Sequence, residues 1–245
     1  MCTLSWWRRN GRCSVRFNRD ERNGRPAAIP PRRLDGAPLP LLTPLDPEGG
    51  GTWICVDARG TTHCLLNFYD AAPLRPPRSP VASRGRLPPL AAAGFGESLA
   101  SLFPAESLAC FPPFHLLRIP RQGPIEHLCW NGSEAKAGPA HRDLGQWTTS
   151  GWNPAEVLAY RERMFRELVL VPGPTEERLD AFHRHQDPAH PAHGPWMRRA
   201  DAHTHNLSRI RIDGNDIAFA YAASIRDDAE EPTAIHMPLS AACPP

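Results

Sequence analysis

Residues 1–22 read MCTLSWWRRNGRCSVRFNRDER, and Asn10-Gly11 at their centre decides how the stretch is arranged. Asn-Gly is the strongest short-range signal for a two-residue hairpin turn, because both positions adopt positive φ. The flanking segments are rich in Val, Phe, Trp, Thr and Ser, with Leu4, Trp6, Val15 and Phe17 spaced by two. Counting outward from the turn sets Arg9 against Arg12, Trp6 against Val15, Leu4 against Phe17 and Cys2 against Arg19. Side chains alternate faces along a strand, so Cys2, Leu4, Trp6, Cys13, Val15, Phe17 and Arg19 share one side. That side is apolar except at its far end, where a thiol meets a guanidinium. Opposed Cβ atoms lie ~4.5–5.5 Å apart, close enough for the cation to lower the pKa of the thiol. On geometry alone, an open hairpin end that merely carries a Cys and an Arg is the plainer reading.

Outward from this hairpin the chain continues in alternating blocks. GGTWICVDARGTTHCLLNFYD (50–70) reads as a second hairpin with Asp57-Ala58-Arg59-Gly60 at its turn. Residues 70–92 are dense in proline and arginine and read as a surface excursion. A short helix is predicted over Glu97–Leu108, broken or ended by Pro104. PFHLLRI (113–119) and IEHLCW (125–130) read as strands. Asn153-Pro154 opens a helix, with Asn as N-cap, Pro at the first position and Glu156 complementing the dipole. Its apolar face is Val157, Leu158, Phe165, Leu168 and Val169. A second helix starts near Thr175 and carries Leu179 and Phe182, and LSRIRI and IAFAYA form a terminal β pair around Asp213-Gly214. There are no internal repeats. This order suits two packed sheets with helices outside them better than a doubly wound parallel sheet.

The composition excludes several function classes. A net charge of +2 offers no electrostatic case for nucleic acid or an anionic membrane surface. All basic residues except Lys136 are arginine and prolines number 29, a bias that a GC-rich genome explains without recognition motifs. No stretch approaches the ~18 apolar residues of a spanning helix. Arg8, Arg9, Arg12 and Arg16 interrupt any signal-peptide core. The seven cysteines (2, 13, 55, 64, 110, 129 and 243) contain no CxxC pair, which indicates a reduced cytoplasmic protein. The 245 residues are long enough for one large domain or two small ones.

FNRDE at 17–21, preceded by Met1-Cys2-Thr3, resembles the signature of the NRDE family, whose eukaryotic relative is transport and Golgi organization protein 2. Arg25-Pro26, the run Gly50-Gly51-Thr52-Trp53-Ile54, Leu66-Asn67, Ser83-Arg84-Gly85 and PFHLL follow in the family's order. NPAEVLAYRERMF, Phe182-His183 and Arg199-Ala200-Asp201-Ala202 are similar to the bacterial branch. The resemblance spans nearly the whole chain and implies a single domain over 1–245. The family resembles the N-terminal nucleophile hydrolases, which implies an α+β fold, the four-layer αββα sandwich.

In such enzymes the first residue of the mature chain is nucleophile and base together. Its thiol attacks a carbonyl and its α-amine, of unperturbed pKa ~7.7–8.0, takes the proton. The resemblance therefore makes Cys2 the nucleophile after Met1 is removed. It makes Arg19 the group that favours the thiolate and Asp20 the group that holds the amine. Adjacent strand residues point to opposite faces, so both reach Cys2 only if the strand bends or ends at Asn18; otherwise Asn18 and Glu21 brace the corner. Asn67 matches an oxyanion donor, although an Asn ending a strand is also a turn cap. Asn18, Gly51 and Trp53 are candidate substrate contacts; a glycine here is also a hairpin entry, and Trp53 also reads as core. His183, His185, His190, His193, His203 and His205 crowd the C-terminal third without an HExxH-type spacing, so no metal is expected.

Two functions follow. One is a cysteine amidohydrolase or acyltransferase acting on a small amide or ester, without a cofactor. The other is a carrier whose inter-sheet cleft holds a hydrophobic ligand such as haem or an acyl-CoA.

Overall fold

The computed structural model describes residues 1–36, 38–69, 77–79, 81–139, 142–223 and 234–240. Strands β1 (Cys2–Arg9) and β2 (Arg12–Arg22) form the expected hairpin, with Asn10 at φ 52° and Gly11 at φ 76°. The register is the one counted from the turn, and Cys2 lies opposite Arg19. The second hairpin is also present as β5 (Ile54–Asp57) and β6 (Thr61–Asn67). Between the hairpins lie β3 (Ile29–Leu34) and β4 (Leu41–Leu45). Then come helices α1 (Leu87–Ala93), α2 (Leu99–Leu102) and α3 (Ala105–Leu108), and strands β7 (Phe114–Pro120), β8 (Glu126–Trp130), β9 (Ala135–Pro139) and β10 (Leu144–Thr149). Helix α4 (Pro154–Phe165) runs on through a π turn at Arg166–Leu170, and α5 (Glu176–Arg184) follows. Strands β11 (Ala202–Asp213), β12 (Asp216–Ala222) and β13 (Ile235–Pro238) complete the order.

The strands build two antiparallel sheets. One runs β10-β1-β2-β11-β12-β13 and the other β3-β4-β5-β6-β7-β8-β9. Period-two alternation explains how they pack. Leu4, Trp6, Val15 and Phe17 of the first sheet cluster with Ile54, Val56, Cys64, Leu66, Leu117 and Ile119 of the second. Their strand neighbours Leu65 and Leu116 turn the other way and cluster with Leu87, Ala91, Leu99 and Phe103 of the helices. On the first sheet Trp7 and Leu144 pack against Phe165, Leu179 and Phe182 of α4 and α5. Each fully buried Leu, Ile or Phe contributes roughly 1.5–3 kcal/mol, so the inter-sheet layer fixes the register of both sheets.

Two local readings are corrected. Residues 84–92 are not an irregular excursion, because Arg84–Arg86 form a 3-10 turn leading into α1, whose Leu87 and Ala91 are buried. The prolines that suggested a loop stand in its first turn, where no backbone N–H is required. Residues 70–76 and 80, also in that stretch, lie outside those described. Asn153 does precede α4, but at φ 39° and with no side-chain cap bond; α5 starts beside Thr175 as expected, and the Thr175 side chain caps it by accepting from the Arg178 N–H. The helix expected over Glu97–Leu108 is broken at Pro104 as read from the sequence, into α2 and α3. Among the described residues, no helix is long and apolar enough to cross a membrane.

Candidate functional site

Cys2 is the first residue of β1, flanked by Arg19 on β2 and Thr149 on β10. It is buried and lines a cavity of about 620 Å3 between the open ends of the hairpins. Arg19, Gly51, Trp53, Asn67, Tyr69 and Arg84 contribute to the same wall system. Arg19 is only 5 % exposed. Its Nη2 donates to Asp46 at 3.0 Å, and its guanidinium lies 4.6 Å from the centroid of the Trp53 ring. Asp46 also accepts from Arg25 at 2.6 Å and from the Glu48 and Gly49 backbone N–H groups. These bonds hold its carboxyl below the usual carboxylate range despite partial burial.

Arg19 and Asp20 point to opposite faces, and β2 continues through both. Opposite them β11 carries a register shift between Thr204 and Asn206, a bulge that bends the ladder beside the site. The Asp20 carboxylate turns toward the helices. It accepts from Thr204 Oγ1 at 2.6 Å and faces Arg161 Nη1 at 3.5 Å, both side chains being fully buried. Arg161 also donates to Thr3 Oγ1 at 2.6 Å and to the His193 carbonyl at 3.0 Å. What Asp20 presents to Cys2 is its backbone N–H.

The thiol is not activated as the charge pairing alone suggested. Burial pushes the Cys2 pKa up, with the Asp20 carboxylate adding to the rise. The chain-terminal ammonium, the Asp20 N–H and Arg19 pull downward without outweighing it. Opposed cross-strand position gives Arg19 proximity, but desolvation dominates.

The remaining sequence candidates separate cleanly. Asn67 lines the cavity, and its Nδ2 donates to Tyr69 Oη at 2.7 Å; the Met1 ammonium donates to the same oxygen at 3.1 Å. Trp53 is both core and cavity wall, and its buried Nε1 has no acceptor among the described residues. Gly51 has backbone against backbone: a Cβ there would lie 2.5 Å from the Gly85 carbonyl carbon. Asn18 is not among the residues lining the cavity. It donates to the His183 and Pro195 carbonyls at 2.8 and 2.7 Å, the bracing alternative. His183 sits buried between Ser5 Oγ and Asn18 Oδ1, and burial drives its pKa well below the ordinary value. Asp187, His190 and His193 bring donor atoms within 4.8 Å of one another on the loop after α5.

Sequence reasoning missed Asp46, Tyr69 and Arg161 as neighbours of the site. Arg161 had a legible signal, since it falls four residues from both Val157 and Phe165, inside the apolar stripe of α4. A charge on that stripe requires a buried counter-ion.

Two antiparallel sheets packed face to face are also the frame of the N-terminal nucleophile hydrolase fold, and solved structures of that fold superpose on this chain. Penicillin V acylase from Agrobacterium tumefaciens aligns with a TM-score of 0.54 at 10% identity, covering 98% of this chain and 86% of that one. A mutant of the conjugated bile acid hydrolase from Clostridium perfringens gives 0.52 at 10%, covering 98% and 92%. The Caenorhabditis elegans ortholog of N-acylethanolamine-hydrolyzing acid amidase gives 0.51 at 10%, covering 86% and 92%. The sequence matches no protein-family model and no curated protein.

Proposed function

We propose that the protein is a cysteine amidohydrolase of the NRDE type, acting on a small amide or ester once Met1 has been removed. The observation that carries this reading is the position of Cys2: a buried thiol opening the first strand, on the floor of a cavity and opposite a buried arginine. The fold is shared with an acylase, a hydrolase and an amidase. In this reading the helices outside each sheet complete a four-layer αββα sandwich.

With Met1 gone, the Cys2 α-amine takes the thiol proton as the Sγ–carbonyl bond forms. The same proton passes to the departing amine as the C–N bond breaks, which leaves a thioester. Water cleaves the thioester, releasing the acid and returning a proton to sulfur. Arg19 and Asn67 supply donors toward the developing oxyanion. The Asp20 backbone N–H donates toward the Cys2 sulfur, and its carboxylate, braced by Arg161 and Thr204, fixes the strand. Met1 packs against Val157, Met197 and Ala202, so its removal opens an apolar hollow beside the sulfur that suits an acyl group.

The test is hydrolysis of a panel of N-acyl p-nitroanilides and p-nitrophenyl esters by the wild type and Cys2→Ala. Turnover confined to the wild type is expected. Equal turnover by both would remove the thiol from the mechanism.

A further inference from the structure

The cavity is lined by Arg19, Arg22, Arg25, Arg84 and Arg199. Three of these have carboxylate partners: Arg19 and Arg25 meet Asp46 and Glu21, and Arg199 meets Asp201 at 2.7 Å. Arg22 is exposed to solvent. Arg84 differs from all of them. It is half-buried and, among the described residues, has no carboxylate within ion-pair distance. Among the described residues its hydrogen bond runs from Nη1 to the Pro113 carbonyl at 2.8 Å, and nothing bonds to the Nε–Nη2 edge, the fork that matches the two oxygens of a carboxylate.

The protein holds this arginine firmly. Gly51 and Gly85 meet backbone to backbone, and the Thr52 N–H donates to the Gly85 carbonyl at 2.9 Å. A side chain at Gly51 would drive the two segments apart. The glycine contact therefore presses the 3-10 turn that begins with Arg84 against the cavity rim, and Leu87, immediately after that turn, is buried. Burial lowers the Arg84 pKa, while Tyr69, Cys2 and Glu21 are close enough to oppose that effect.

We propose that Arg84 seats a carboxylate carried by the substrate, so that the site selects anionic small amides over neutral ones. A half-buried guanidinium that lines the cavity and has no carboxylate partner among the described residues is matched by an acceptor-rich anion and not by a neutral alkyl group. This deepens the hydrolase reading and rests on it for turnover, but not for binding.

The experiment has two arms. In the first, kcat/KM is measured for paired p-nitroanilides whose acyl chain ends in a carboxylate or in the isosteric carboxamide. A second pair places the same two groups on the amine side. Wild type is expected to favour the carboxylate by about tenfold or more in one pair. Arg84→Gln should erase that preference while still turning over the carboxamide, and Arg84→Lys, which keeps the charge but not the fork, should retain part of it. In the second arm, binding of glutarate to wild type, Cys2→Ala and Arg84→Gln is followed by tryptophan fluorescence, since Trp53 lines the site. Binding by wild type and Cys2→Ala, with loss in Arg84→Gln, is expected. If no substrate turns over but glutarate binding still depends on Arg84, the hydrolase reading fails and the carboxylate seat stands. If Cys2-dependent turnover shows no preference in either pair, or Arg84→Gln keeps it, the carboxylate seat is overturned and the hydrolase stands. Glutarate binding that ignores Arg84 likewise overturns it.

Discussion

Replacing Arg161 by Met is expected to destabilise the protein severely, because a buried carboxylate loses the one cation that faces it among the described residues. The side chains of Arg161 and Asp20 are 0 % exposed and lie 3.5 Å apart. Removing one partner of such a pair costs about 3–5 kcal/mol, because the charge left behind has neither water nor a counter-ion. Arg161 also donates to Thr3 Oγ1 and to the His193 carbonyl, and Met leaves both without that donor. Each lost bond adds a cost of about 1 kcal/mol or more, partly overlapping with the first. Against a total stability of about 5–15 kcal/mol, the variant stands near the folding threshold. Urea denaturation of wild type, Asp20→Asn, Arg161→Met and the double variant measures the pair directly. Asn keeps an acceptor for Thr204 and removes only the charge. The double variant should be less destabilised than the sum of the singles by at least about 1 kcal/mol. Arg161→Met within about 1 kcal/mol of wild type, or strict additivity, would show that the pair does not anchor the strand behind Cys2.

Gly51→Ala sets a Cβ 2.5 Å from backbone carbon, which cannot move cheaply, so a loss of about 1–3 kcal/mol is expected. Gly24→Ala, with nothing within 4 Å of the new Cβ, is its control; equal melting temperatures for the two variants would contradict the close approach. Acid should destabilise the fold well above the carboxylate range. His115, buried and beside His127, has its pKa lowered to about 3. The folded state then declines a proton that the unfolded state accepts below pH ~6.5, so stability is lost as pH falls through that value. His115 alone contributes about 2 kcal/mol of loss by pH 5. His183 acts in the same direction. Denaturation midpoints at pH 7.5 and 5 check this, and a His115→Asn variant that keeps the full pH dependence would contradict it.

Much of the fold was legible in local chemistry. Asn10-Gly11 dictated a turn, the turn dictated register, and register placed Arg19 opposite Cys2 without reference to anything distant. The strands that escaped notice were the weakly patterned ones. IPPRRL and AKAGP pair at sheet edges, where prolines and exposed polar residues are tolerated because one side of the strand needs no ladder. The site was only half legible. A hairpin specifies its own cross-strand neighbours, but Asp46, Tyr69 and Arg161 reach Cys2 and its flanking residues through the tertiary fold, which no short-range spacing encodes. The direction of the Cys2 pKa was misread for the same reason. Pairing with Arg19 is local, whereas burial by the opposite sheet is not.

The most direct measurement of the central claim is the intact mass of the protein before and after exposure to a p-nitrophenyl acyl ester, followed by mapping of the adduct. The account predicts a species lacking Met1 that gains one acyl group, carried by Cys2 and absent from Cys2→Ala. A chain that retains Met1 in full, or an acyl group carried elsewhere with Cys2 untouched, would contradict it.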